Sequence, residues 1–231
     1  MAKLVWDNTG DRLYETGTDH GVLYVWDETA NSNAGGYGTG VVWNGLTAVT
    51  ENPSGAEPTA LWADNIKYLN LMSAEEFGCT IEAYTYPDAF MQCDGSAEVA
   101  DGVYIRQQQR KTFAFCYRTL VGNDTQGTEK GYKIHIVYGC LASPSSRNYT
   151  TVNDSPEAIQ FSWEVTTTPV AVTGYKPTAY IEIDSTKLTT TTQQERLATL
   201  EDYLYGSSTL TSQLLMPNQI AALINDGTTP T

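Results

Sequence analysis

Ile159-Gln160-Phe161-Ser162-Trp163-Glu164-Val165 alternates apolar and polar side chains without a break. A strand points successive side chains to opposite faces, so period two places Ile159, Phe161, Trp163 and Val165 on one face against a core and leaves the other face wet. Working outward, Ala179-Tyr180-Ile181-Glu182-Ile183-Asp184 repeats the pattern. So does Lys133-Ile134-His135-Ile136-Val137-Tyr138, bounded by Gly131 and Gly139. Ile66-Lys67-Tyr68-Leu69-Asn70-Leu71 is β-rich and partly alternating, and is read with the others as half-buried. Val41 to Thr50, Phe77 to Tyr84 and Val103 to Leu120 are weaker strand candidates. The last is long enough for two strands, or for one that extends beyond a sheet. Gly122 to Gly127 reads as a hairpin loop between strands ending near Leu120 and starting near Tyr132. About seven strands without βαβ spacing predict a mainly β fold, an antiparallel β-sandwich or barrel.

Helices are few. Pro87 to Cys93 suits one short helix. Thr190 to Tyr205 carries Leu197, Leu200 and Leu204 at helical spacing, with Gly206 as its stop, and forms a flanking α-helix. Pro217 to Ile224 reads as a short terminal helix behind a polar linker. The expected organisation is a β domain over residues 1–206, including that helix near 190–205, and a linker with a short helix over 207–231 as a candidate interaction arm. Thr29 to Gly40, rich in Gly and Asn, predicts an exposed, flexible loop with little to bury. A second loop, Glu51 to Pro58, carries Pro53, Gly55 and Pro58.

The chain has 231 residues, enough for one large domain that buries ~70% of its extended surface. Its 27 acids against 13 bases give a net charge of −14, which argues against tight nucleic-acid binding and against a polybasic membrane contact. Nine of those acids fall within residues 1–64, against only Lys3 and Arg12. No apolar run is long enough to span a bilayer and the first residues lack a signal-peptide pattern, so no membrane insertion and no export are expected. The scattered cysteines Cys79, Cys93, Cys116 and Cys140 are then read as free thiols, and the sequons at Asn123, Asn148 and Asn153 as chance matches.

Little points to chemistry. His135 sits on the strand face opposite Ile134 and Ile136 and is expected to meet solvent or a partner; His20 has one acid beside it and no HxH or CxxC spacing, so no metal is expected. No GxSxG elbow exists. Glu75-Glu76 and Asp27-Glu28 are adjacent acids, more often solvated than catalytic. Gly35 to Gly40 lacks the GK[ST] ending of a phosphate loop. Hence no catalytic, cofactor-binding or metal residue is assigned, no cofactor is expected, and the chain is not read as an enzyme. Arg106, Arg110, Lys111 and Arg118 form the one basic concentration, which suits acidic loops of another copy.

Several ordered segments carry a resemblance. They include Trp43-Asn44-Gly45-Leu46-Thr47, Pro53-Ser54-Gly55-Ala56-Glu57-Pro58-Thr59, Asp64-Asn65-Ile66-Lys67-Tyr68-Leu69 and Phe77-Gly78-Cys79-Thr80-Ile81-Glu82-Ala83-Tyr84. Cys116 to Asp124, Phe161 to Pro169, Leu200 to Gly206 and Leu214-Leu215-Met216-Pro217 continue it, so it spans nearly the whole chain. The chain resembles a major tail protein of long-tailed, non-contractile bacteriophages. That resemblance implies a structural virion protein, located in the virion tail and assembled in the host cytoplasm. Such proteins form hexameric rings that stack into a hollow tube around a tape-measure protein, close against tail terminator and distal tail proteins, and pass DNA without binding it. It also implies a β-sandwich with a flanking helix and long inter-subunit loops.

Physics adds two expectations. Acids lining the lumen would repel the duplex, although the sequence does not assign which acids those are. Residues 49–63 are placed at a subunit contact, where Pro53 and Pro58 lower the cost of ordering and Leu61 and Trp62 supply area to bury. Arg106, Arg110 and Lys111 complete the expected interface. The alternative reading is a sandwich that binds carbohydrate or a receptor through its loops, as a tail decoration would.

Overall fold

At the centre of the computed structural model lies a hairpin of two long strands, Phe113–Asn123 and Gly127–Ala142. The structure describes residues 3–30, 35–152, 154 and 157–229. In chain order the strands are β1 (Leu13–Asp27), β2 (Gly36–Tyr37), β3 (Val41–Trp43), β4 (Leu46–Glu51), β5 (Ser54–Gly55), β6 (Pro58–Ala63), β7 (Ile66–Met72), β8 (Glu75–Glu76) and β9 (Gly78–Ala83). They continue as β10 (Ser96–Ala100), β11 (Val103–Arg106), β12 (Phe113–Asn123), β13 (Gly127–Ala142), β14 (Phe161–Thr167) and β15 (Tyr180–Asp184). Two helices follow, α1 (Thr191–Tyr205) and α2 (Pro217–Asp226). Val103 to Leu120 is thus two strands, and Pro87 to Cys93 holds one 3-10 turn, Asp88–Phe90.

The main sheet runs β2-β1-β12-β13-β14-β9-β4, with every pairing antiparallel. β13 divides its second edge between two partners: residues 133–137 pair β15 and residues 140–142 pair β14. Gly139 lies between the two at φ 60, where an added Cβ would stand 2.2 Å from the Thr168 carbonyl oxygen. Only glycine fits that corner, and there the sheet folds over on itself. The sequence reading ended the strand at Gly131 and Gly139; both lie inside it. The chain also crosses from one layer to the other between β3, which pairs β1, and β4, which pairs β9. Among the described residues no ladder joins β4 to β1, so the architecture is a sandwich and the barrel stays open.

Period two sorts the central layer into two cores. Leu23, Phe113, Phe115, Tyr117 and Val137 face β9 and β14, meeting Cys79, Ile81, Trp163 and Val165 together with Trp43 and Phe90. Trp43 stacks edge-on against Trp163 at 5.5 Å and lies 4.5 Å from Phe90. On the reverse face Tyr24, Cys116, Ile134, Ile136 and Tyr138 meet Leu197, Leu200 and Leu204 of α1 and Ile220 and Leu223 of α2. β12 is therefore buried on both faces, which explains why Phe113-Ala114-Phe115-Cys116-Tyr117 does not alternate.

The helices are fixed by their ends as well as their faces. Thr190 and Gln193 form a reciprocal capping box on α1, and Pro217 opens α2. Tyr24 donates to the Leu204 carbonyl, Tyr138 donates to that of Leu215 at 2.8 Å, and Arg196 donates to that of Ile224 at 2.9 Å. Leu214, Leu215, Ile220 and Leu223 are buried within the chain, each worth ~1.5–3 kcal/mol. The C-terminal segment docks in cis.

Three local expectations are corrected. Residues 35–40 are not a free loop: β2 pairs β1, Tyr37 packs edge-on against Trp26 at 5.1 Å, and its hydroxyl accepts from the Gly139 amide at 2.9 Å. Residues 31–34 lie outside the described residues, as does the sequon residue Asn153. β7 is a strand, but each of its seven residues is exposed rather than half-buried. His135 is buried against the second layer, because the face opposite Ile134 and Ile136 is covered too.

Candidate functional site

Between β4 and β9 the chain leaves the sandwich as an arm, residues 52–77. Nearest the body, β5 pairs β8; farther out, β6 pairs β7. The tip is a two-residue turn, Asp64-Asn65, with φ 49 and 62. Positive φ at both positions gives the type I′ turn whose twist matches a two-stranded ribbon, and Asp and Asn tolerate it. The register opposes Leu61 to Leu69, Thr59 to Leu71 and Pro58 to Met72, with a bulge between Leu61 and Trp62. One face of the ribbon therefore carries Leu61, Leu69 and Leu71 with Ile66, which opposes Ala63 beyond the bulge, and the other carries Trp62 and Met72, with Tyr68 at the bulge.

All of these side chains are exposed: Trp62 by 68%, Tyr68 and Met72 by 67%. An isolated two-stranded ribbon is marginal in water, and an apolar surface on both faces marks an interaction site. A second hairpin, β10–β11, exposes Val99, Val103, Tyr104 and Ile105. Leu4, Val5 and Trp6 add a third exposed apolar segment.

Of the expected interface residues, Pro53, Pro58, Leu61 and Trp62 are exposed on the arm. The loop assigned to 51–58 is partly ladder, so Pro58 starts a strand rather than stiffening a coil. Arg106 lies exposed on β11 and Lys111 is exposed just before β12. Arg110 is tied to its own fold: its Nη1 donates to the Ala142 carbonyl at 2.8 Å and stands 3.8 Å from Asp94. Arg118 likewise makes two 2.8 Å bonds to the Asp19 carboxylate. The basic concentration is dispersed, and the arm's apolar residues on β7 were the stronger signal.

Where the arm joins the body, both roots meet a part-buried polar cluster. Glu51, the last residue of β4, accepts from the Tyr117 hydroxyl at 3.3 Å. On the return, Phe77 stacks on Tyr180 at 4.8 Å and 15°. Between them lies His135, stacked on Tyr117 at 4.6 Å and 10°, and 6.0 Å from Tyr180. Its Nδ1 is 2.7 Å from the Tyr180 hydroxyl and its Nε2 is 2.7 Å from Thr119 Oγ1. Thr119 in turn donates to Glu15 at 2.6 Å. Lys133 bridges Glu15 and Glu182 at 2.9 and 3.1 Å.

Burial lowers the His135 pKa, although Glu182, Glu15 and Glu51 pull it upward. Burial also raises the Tyr117 and Tyr180 hydroxyls, with nearby carboxylates adding to it. For Glu15, burial acts upward but the bonds from Thr119 and Lys133 outweigh it and hold the carboxyl low. The sequence pointed to none of Glu51, Phe77 or Tyr180, because their proximity to His135 depends on three separate pairings. Among the described residues no group of three His, Cys, Asp or Glu side chains could hold a metal ion. The four cysteines are free and buried, and burial pushes Cys79, Cys93 and Cys116 up to about 12. No family model matches this chain, and no curated protein matches it.

Proposed function

We propose that this chain is a structural virion protein that polymerises into stacked rings and so forms the hollow tail tube through which phage DNA leaves the particle. The carrying observation is the arm, a self-contained ribbon with uncovered apolar side chains on both faces. A ribbon of this kind needs cover on two sides, which suits a position between neighbouring copies of the same subunit. Hydrophobic association is non-directional, and the ribbon's fixed register turns it into a directional contact. Three further features support the reading: the fold, the resemblance of the sequence segments, and the −14 charge that leaves no footprint for trapping a phosphate backbone. Partners on this reading are other copies of the chain, a tape-measure protein in the lumen and terminator or distal proteins at the ends, while DNA passes without specific binding.

Negative-stain microscopy of the purified protein tests it. Rings or long tubes are expected, and removal of residues 53–76 with a short turn in their place should leave folded monomers. Monodisperse particles of the intact protein at high concentration, with affinity for glycans, would overturn the proposal and favour receptor binding instead.

A further inference from the structure

β15 is an edge strand. It pairs β13 on one side and, among the described residues, no strand on the other. The phase of that ladder follows from one bond: the Tyr138 N–H donates to the Ala179 carbonyl at 2.8 Å, one step beyond the Val137–Tyr180 pair. Hydrogen-bonding positions alternate along an antiparallel pair, so Ile181 and Ile183 turn their backbone groups to β13, and Tyr180, Glu182 and Asp184 turn theirs outward. The Thr178 hydroxyl bonds both groups of Tyr180, at 2.9 and 3.2 Å. Glu182 keeps an outward N–H and C=O, and Asp184 an outward N–H. Along this edge, between β15 and α2, lies a groove of about 490 Å³ whose apolar lining includes Ile181, Ile183, Leu188, Ile220 and Ile224.

We propose that this edge and groove take Lys3-Leu4-Val5-Trp6 of a second copy as an added strand, antiparallel to β15. In its own copy that segment makes no backbone–backbone hydrogen bond among the described residues, and Leu4, Val5 and Trp6 are 73%, 67% and 74% exposed. Asp7, at φ 56, ends the stretch. A strand added to an edge draws affinity from main-chain bonds and selectivity from alternate side chains. With Val5 opposite Glu182, the two residues exchange both bonds, and the Asp184 N–H reaches the Lys3 carbonyl. Leu4 and Trp6 then share the face of Ile183 and Ile181 and enter the groove. Lys3 falls opposite Asp184, whose carboxylate bonds only Thr186 among the described residues of its own copy.

Other arrangements fit less well. A slip by one residue turns Leu4 and Trp6 away from the groove. A second β15 on this edge, centred on Glu182, would set that acid directly opposite its own copy, and like charges so placed repel. The donor segment and the acceptor groove are different surfaces, so the contact is head-to-tail and can continue from copy to copy. The docking needs only two copies; the ring or tube it would help to build rests on the assembly reading above.

The test is disulfide capture in mixtures of single variants, the native cysteines being buried. Directly opposed residues at a hydrogen-bonded position stand ~5.5 Å apart at Cα, within reach of a disulfide. Val5→Cys mixed with Glu182→Cys should cross-link about tenfold faster than Val5→Cys mixed with Glu164→Cys, an exposed site on β14. Glu182→Pro removes the outward N–H and spares the β13 ladder, so self-association should weaken about tenfold by sedimentation, whereas Glu182→Gln should stay within about twofold of the original. Equal capture by the two partner sites, or self-association as strong in Glu182→Pro as in Glu182→Gln, overturns the docking. The capture decides alone if Glu182→Pro fails to fold. Selective capture without rings or tubes leaves the docking standing and the assembly reading fallen; tubes with unselective capture do the reverse.

Discussion

Replacing Trp62 by alanine should raise the critical concentration for assembly by about two to three orders of magnitude. An aromatic side chain buries about 150–250 Å² on full transfer from water, worth ~4–6 kcal/mol at ~25 cal/mol per Å². In the monomer Trp62 is 68% exposed, so about two thirds of that area is left for a neighbour to cover. The loss is then about 2.5–4 kcal/mol per contact, or roughly 10²- to 10³-fold in the association constant. The fold itself should barely notice. Within the ribbon Trp62 opposes only Lys67 and takes no part in either core, so monomer stability should move by less than about 0.5 kcal/mol. Sedimentation of the polymer over a concentration series, with thermal melting of the monomer alongside, measures both quantities. A critical concentration within threefold of the original, with the fold intact, would refute the placement of Trp62 at a subunit contact.

Other perturbations address the body. Trp163→Ala removes the ring packed on Trp43 and Phe90 and should cost ~3–5 kcal/mol in denaturant unfolding; a loss under about 1 kcal/mol would contradict the inter-sheet core. Gly139→Ala drives a methyl into the Thr168 carbonyl at positive φ and should cost about 2–5 kcal/mol, so neutral behaviour would contradict the corner. The cysteines should resist thiol reagents at pH 8 in the native protein and react together on denaturation; one native thiol reacting at the rate of a free peptide thiol would be inconsistent with their burial. The Arg118 bonds hold Asp19 below its usual value, so their small contribution, under about 1 kcal/mol at this part-exposed site, is complete above about pH 4. It fades as pH falls through the lower folded value. Asp19→Asn should therefore melt slightly lower at pH 7 and match the original protein once acid has protonated Asp19 in the fold.

Legibility in the sequence followed the number of chain segments a feature needs. β14 and α1 announce themselves, because alternation in the one, and leucines at helical spacing before a glycine stop in the other, are complete within one segment. β12 does not, because burial of both faces erases the alternation, and the second cover comes from helices about eighty residues later. Periodicity identified β7 as a strand but could not say what covers it; an apolar strand in a core and one in an unpaired arm read alike. His135 was misplaced for the same reason. One strand shows two faces, but only the fold shows that both are covered. Gly131 and Gly139 looked like strand ends because glycine usually punctuates, whereas at Gly139 it supplies the bend. The cluster at the arm's root joins β1, β4, β12, β13 and β15, and no local pattern could have assembled it.

The two-residue tip at Asp64-Asn65 has a consequence for how such an arm can vary. Its reach is graduated in pairs. Adding two residues to each strand extends the ribbon by ~7 Å and returns every side chain to its original face. Adding one to each exchanges the faces, presenting the Met72 side where the Leu69 side had been. Arm length can therefore drift among descendants only in even steps unless both neighbouring surfaces change together. An odd step would be the mark of a lineage that had rebuilt its contacts.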